Sequence, residues 1–162
     1  MNTLPIDKPA GRHAIASSGL QDLLHRGEPV AYALLRVGFA VILFTHGFPK
    51  IFGSALERTV GNIDTKLNLP FPWAWGYMIG TLETLGMVLL AIGFGTRLIA
   101  SMVFVEMLVI IFGVLWPTWV WYKFGIEYPL LMALLALYMC FRGSGRYSVD
   151  RLRGIELGGL RD

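Results

Sequence analysis

Residues Leu34 to Gly53, LLRVGFAVILFTHGFPKIFG, decide how the rest of the chain is read. The stretch is apolar enough to enter a bilayer, yet it carries Arg36, His46 and Lys50. A charged side chain near mid-membrane costs at least ~2.5–3.5 kcal/mol on insertion scales, so its partners must come from elsewhere in the chain. Glu83, Glu106 and Glu127 are the candidates, each inside or beside another apolar run. The expected architecture is therefore an all-α membrane protein: a four-helix transmembrane bundle, up-down, with a polar seam inside.

Bulk composition agrees. Of 162 residues, 55% are hydrophobic and 15% charged, with a mean hydropathy of +0.59. A soluble domain has about 25% charged residues, so surface-forming side chains are scarce here. The formal charge of +3 does not point to nucleic acid. Lys and Arg gather at the tails and loop ends, as expected beside an anionic leaflet. The single cysteine, Cys140, rules out an intrachain disulfide or thiol relay and reads as a small buried hydrophobe.

Outward from the first stretch, spans of about 20 apolar residues fall at 29–52, 73–94, 97–116 and 124–141. Pro29 suits the first turn of the first span, and Pro49 is expected to kink or loosen its end. Residues 53–72 read as a polar connection with a short helix in its first half. The GFGTR turn joins the second and third spans: Gly93 and Gly95 can take left-handed backbone angles and stop a helix, and Thr96 can cap the next. Pro117 ends the third span within an aromatic belt.

Residues 1–28 form a tail without the continuous apolar core of a signal peptide. Met1–Ser18 reads as mobile, and Gly19–Arg26 as a short amphipathic helix on the membrane surface or more flexible tail. Residues 142–162 close the chain as a basic tail, where GSGR reads as ordinary turn chemistry.

With four spans, the two tails and the second loop carry nine Lys and Arg residues, against four (Lys50, Arg58, Lys66 and Lys123) on the opposite side. The positive-inside rule then places both termini in the cytoplasm. The five tryptophans fall at the other interface.

Depth along ideal helices puts Arg36 roughly 10 Å, Glu83 roughly 15 Å and Glu106 roughly 13 Å into the bundle. A buried charge network of Arg36, Glu83 and Glu106 is expected, and a structural role in helix register is favoured over proton handling. At the outer end, His46 and Lys50 share one helix face, beside Glu127 and Tyr128. Under cover of Trp73 and Trp116, this second site suits the carbonyls and ring of a quinone or similar flat, oxygenated molecule. The plainer alternative is a lysine that snorkels and a histidine capping a kinked helix end. No second membrane histidine offers a haem ligand, no close His, Cys and carboxylate cluster offers a zinc or iron site, and no flavin or nucleotide fingerprint is seen. Gly76 and Gly80 form a small-xxx-small pair for packing within the chain, in a homo-oligomer, or against a partner subunit.

HGFPKIFG at 46–53, E-T-L-G in the second span, GTR opening the third, and GIEYPLLMALLALYMCFRGSGRYSVDRL together resemble the DoxX family of bacterial and archaeal membrane proteins. The likeness runs from about Leu34 to Leu152. Pro49, the Thr84–Leu85–Gly86 run and Glu106 depart from the family pattern. The resemblance implies a multi-pass protein of the cytoplasmic membrane, a subunit linked to quinone-dependent oxidation with a separate redox partner. It carries over to Arg36, His46, Lys50, Glu83, Arg97, Glu127 and Tyr128. On this expectation His46, Lys50, Glu83 and Glu127 are the catalytic candidates. His46, Lys50, Tyr128, Trp73 and Trp116 would hold the quinone. The competing expectation is a non-catalytic scaffold, assembly partner or small-ligand binder that uses its glycine faces. Transport of a small anion has little support, because four short helices leave scant room for a path.

Overall fold

The computed structural model describes residues 12–154, with side chains from Gly19 onward except that of Trp121. The described residues form helices and no strand. Met1 to Gly11 of the N-terminal tail and the chain beyond Gly154, Arg161 included, lie outside them. The longest element is α1, Arg12–Phe52. At 1.5 Å per residue it is roughly 60 Å long, about twice the hydrocarbon thickness of a bilayer. The expected start at Pro29 is therefore corrected: the helix runs unbroken from the tail through Pro29, and through Pro49 to Phe52. A proline inside a helix removes one backbone bond, and the turns on either side hold the helix across the gap.

The polar connection holds more structure than the sequence suggests. Helix α2 spans Ala55–Asn62 and passes into a five-residue π-helical turn, Ile63–Leu67. Leu56, Val60 and Ile63 are buried beneath it. Helix α3 covers Pro72–Ile92 and α4 covers Thr96–Leu115. Each contains a wide, π-helical stretch, Leu82–Gly86 in α3 and Ile110–Leu115 in α4. Such widenings expose a turn's backbone and side chains differently from an α-helix and often mark functional positions. Between α3 and α4, Gly93 and Gly95 adopt φ of 73° and 61°, the left-handed angles expected of this turn. Thr96 does not cap α4; its hydroxyl is buried without a partner, and Gly95 takes the N-cap position.

Helix α5, Glu127–Arg142, follows a short loop, and a single turn, α6 (Val149–Leu152), closes the described chain. Among the described residues three helices, α1, α3 and α4, are long and apolar enough to cross a membrane. With 16 residues, α5 is roughly 24 Å long.

One core joins the four long helices. Phe39, Ala40 and Leu43 of α1 meet Met87 and Leu90 of α3, Ala100, Val103 and Met107 of α4, and Met132, Ala136 and Met139 of α5. The opposite faces are also apolar: Val41, Val88, Leu98, Val105, Phe112, Leu131 and Leu134 are all exposed. A helix apolar on every side suits hydrocarbon within and without.

Candidate functional site

Two close backbone approaches set the centre of the site. A Cβ on Gly47 would lie 2.5 Å from the carbonyl carbon of Glu83, and one on Gly80 would lie 2.8 Å from Ile51 and 3.2 Å from the Cβ of Lys50. The absence of these methyl groups lets α1 and the wide turn of α3 touch. Lys50 Nζ consequently donates to Glu83 Oε2 in an ion pair, with the Lys50 side chain 15% exposed and that of Glu83 3% exposed. The Thr84 hydroxyl donates to the Gly80 carbonyl at 2.6 Å and ties the same turn. From α4, Glu106 is buried, at 8% exposed. Neither Glu106 oxygen receives a hydrogen bond from an N–H or O–H group.

Above this cluster lies an open cleft of about 600 Å³ lined by His46, Leu115, Tyr122, Phe124, Gly125, Tyr128 and Pro129. The loop before α5 is folded tightly enough to shape its wall: Gly125 N–H donates to Val120 at 3.0 Å and Ile126 N–H to Thr118 at 3.0 Å. The rings of His46 and Tyr128 face each other with centroids 5.6 Å apart and planes inclined at 38°. The Tyr128 hydroxyl is buried, with no hydrogen-bond partner among the described residues. The polar groups thus run from His46 and Tyr128 in the cleft to Glu83, Lys50 and Glu106 inside the bundle.

The expected outer site is corrected in three respects. Lys50 does not line the cleft, because its ammonium is drawn inward by Glu83. Trp73 and Trp116 do not cover it; both are exposed, at 52% and 61%. Glu127 is half-buried at the head of α5 and also outside the lining.

The Arg36 network is corrected as well. Arg36 reaches no glutamate: Nη1 donates to the Ser144 carbonyl, and Nη2 to the carbonyls of Tyr147 at 2.6 Å and Ala91 at 3.3 Å. A planar guanidinium can serve several carbonyls at once, and the segment after α5 folds back to provide them. Tyr32 donates to the Gly143 carbonyl. The Asp150 backbone N–H donates to Gly93 at 3.1 Å, and its side chain accepts from Gly95 N–H at 3.0 Å. Gly93 is required twice over here: its angle is left-handed, and a Cβ would sit 2.5 Å from Ser148 and 2.9 Å from Arg36 Nη1. Ser144, Tyr147 and Asp150 hold this end of the bundle through contacts that sequence reasoning does not reach. The SVDRL run at 148–152, part of the stretch that resembles the family, is the one signal that bears on them.

The glycine pair is used inside the chain. Gly76 lies beneath Val60 and Leu56 of α2, and Gly80 beneath Ile51 of α1.

Against this geometry, a family model described as DoxX matches residues 31–116. The chain belongs to the DoxX family. The matched region carries Arg36, His46, Lys50, Glu83 and Glu106, and ends before Tyr128 and the fourth long helix. Neither a curated protein nor a solved structure matches the chain. The cleft of this DoxX protein is therefore built partly by the matched region and partly by the loop and helix that follow it.

Proposed function

We propose that this DoxX-family protein is a quinone-linked subunit of a membrane oxidoreductase system, with its ligand held in the His46–Tyr128 cleft. The observation that carries the proposal is Tyr128, whose ring lines an aromatic cleft beside the His46 imidazole and whose hydroxyl is buried with no hydrogen-bond partner among the described residues. A buried polar group left unpaired costs roughly 1–3 kcal/mol. A ligand carbonyl would remove that cost. His46 and Tyr128 are both able to donate hydrogen bonds to carbonyl oxygens, while Tyr122, Phe124 and Leu115 offer walls to a flat ring. A few polar groups converging in an apolar cleft is the usual make-up of a small-molecule site. The residues present fit a quinone head group on those grounds. A bound quinone would supply two-electron redox chemistry; this chain's residues bind and orient it and keep charge near it in balance. Its electrons would come from a separate membrane or peripheral protein.

The same proposal sets the chain in a bacterial or archaeal cytoplasmic membrane, with α5 as a short fourth span and both ends on the cytoplasmic side. Glu28 pairs with Arg142, and Arg36 binds the segment after α5, so the first and last parts of the bundle meet at one end. An even number of crossings accounts for that. The scaffold alternative loses its expected surface, since Gly76 and Gly80 are covered by α2 and α1.

Mass spectrometry of lipophilic molecules extracted from gently purified protein tests the reading. A quinone should be retained by the wild type and lost from His46→Ala. No quinone in the wild type, or equal retention in both, would sink it.

A further inference from the structure

Two surfaces meet at the end of the bundle that carries Arg36. The first is an apolar groove of about 230 Å³ between α1 and α3, lined by Ala40, Val41, Phe44, Met87, Val88 and Ala91. Ala40 is buried, while Val41 and Val88 stand exposed at the rims. An empty groove leaves its lining without contact partners on one side. Along two helices that cross a membrane, the filler at hand is a lipid acyl chain. The groove reaches Ala91, and there Arg36 Nη2 bridges the carbonyls of Ala91 and Tyr147, at 3.3 and 2.6 Å. The second surface, residues 146–153, therefore begins where the groove stops. Arg36 and the contacts of Asp150 with Gly93 and Gly95 fix it on the bundle. Arg146, Arg151 and Arg153 are exposed on it, and none of the three enters an ion pair among the described residues. Asp150, the one carboxylate of this segment, is 9% exposed and turned inward to the Gly95 N–H. Glu28, at the same end, is taken up by Arg142. Tyr147 and Leu152 stand among the arginines, both exposed.

We propose that this end of the molecule binds an anionic phospholipid. One acyl chain lies in the α1–α3 groove and the headgroup phosphate sits on Arg146, with Arg151 and Arg153 extending the positive surface. Guanidinium forks match phosphate oxygens in both geometry and charge. With its carboxylate turned inward, the segment presents charge of a single sign, which an anionic headgroup complements. A free phosphate or a nucleic acid would use the arginines but neither the groove nor exposed Leu152 and Tyr147. A lipid uses all of them. The site is more than a general excess of basic residues, because the fold joins a groove for the chain to a fixed place for the headgroup. It rests on α1, α3 and the C-terminal segment, and is independent of the His46–Tyr128 cleft.

Native mass spectrometry of the full chain released from detergent micelles, with phosphatidylglycerol or phosphatidylcholine of identical acyl chains added, reads the binding. The wild type should carry more phosphatidylglycerol than phosphatidylcholine. Arg146→Gln should weaken phosphatidylglycerol binding roughly 5-fold, the share of one basic residue at an anionic surface. Changing Arg146, Arg151 and Arg153 together to Gln should make the two lipids bind equally. All three side chains are exposed, so the fold should survive. Val88→Trp, which sets an indole across the groove from its exposed rim, should reduce both lipids alike. Equal binding of the two lipids by the wild type, or a preference that survives the triple change, would overturn the proposal. So would a Val88→Trp protein that binds both lipids as the wild type does, since no chain would then lie in the groove. Inorganic phosphate at constant ionic strength should leave the bound phosphatidylglycerol in place. Displacement would make the surface a site for free phosphate and overturn the lipid as its occupant. No quinone enters the readout, so failure here and failure of the His46–Tyr128 reading are separate results.

Discussion

The bundle buries charge at both ends, and the two ends solve the problem differently. At one, Arg36 donates to three backbone carbonyls from two separate segments. At the other, Lys50 pairs with Glu83, and Glu106 is left without a hydrogen-bond partner among the described residues. Carbonyl dipoles cannot titrate, so the Arg36 end is fixed in one state and works as a latch between the α3–α4 turn and the C-terminal segment. The glutamate end has fewer donors than acceptors among the described residues. Buried polar groups short of partners are where binding or chemistry is expected, and well-partnered ones hold the fold together; Arg36 Nε has no partner among the described residues, but both its terminal nitrogens donate.

The largest effect should come from breaking the latch. Arg36→Met leaves the carbonyls of Ala91, Ser144 and Tyr147 without their donor. At roughly 1–3 kcal/mol for each unsatisfied group, partly relieved by water at the bundle end, a loss of about 3–5 kcal/mol is expected. Unfolding in a denaturing detergent measures it, and limited proteolysis should begin to cut after Arg142. Arg36→Lys should recover only part of the loss, because a point-like ammonium does not reproduce a planar fork. A fully stable Arg36→Met protein would show that the segment after α5 is held by something else.

Gly47→Ala should rank second. The added methyl would sit 2.5 Å from the backbone of Glu83, a contact that cannot persist. Overpacking of this kind costs about 1–3 kcal/mol, and here it also moves α1 away from the turn that carries Glu83. The Lys50–Glu83 pair should lengthen, so the variant should lose stability and any retained ligand together. Gly38→Ala is the control, since a Cβ there meets nothing within 4 Å.

These glycines explain why part of the site was legible in the sequence and part was not. Hydropathy marked the long apolar helices, and Gly93 and Gly95 marked the turn between α3 and α4, because both signals are local. His46 and Tyr128 were assigned to one outer site because each stands at the same end of its helix. Glu83 is among the partners the sequence offers for the charges of the first stretch, but depth assigns it to Arg36 and not to Lys50, for a geometric reason. Depths counted along ideal helices take no account of the wide turn at Leu82–Gly86, which changes where Glu83 points. The glycines at 47 and 80 held the missing signal, since close approach there brings Lys50 onto Glu83. Arg36 was harder. Its partners are main-chain carbonyls of Ala91, Ser144 and Tyr147, and a carbonyl has no side-chain identity to read.

Glu106→Gln sharpens the comparison with a smaller effect. Glu106 is buried with no hydrogen-bond partner among the described residues, and an amide is close to a carboxyl in shape but carries no charge. Stability should therefore change by less than about 1 kcal/mol. Glu106→Lys would instead add a second ammonium and should be poorly tolerated. A large loss from the glutamine variant would mean that Glu106 is needed as a fixed charge, and would align the two ends rather than separate them.

Tyr128→Phe should have the smallest effect on folding and the clearest effect on binding. The hydroxyl is buried without a partner in the protein, so its removal deletes an unsatisfied group while the ring stays against His46. Folding stability in the absence of ligand should be unchanged or rise by up to about 1 kcal/mol. If a carbonyl oxygen occupies the cleft, the same change removes one of its hydrogen bonds and weakens retention roughly 2–10-fold, the range set by a net contribution of about 0.5–1.5 kcal/mol. Thermal unfolding before and after added quinone separates the two effects. Equal quinone-induced shifts in wild type and variant would leave the Tyr128 hydroxyl without a ligand to bind, and the cleft would then differ from the latch only in shape.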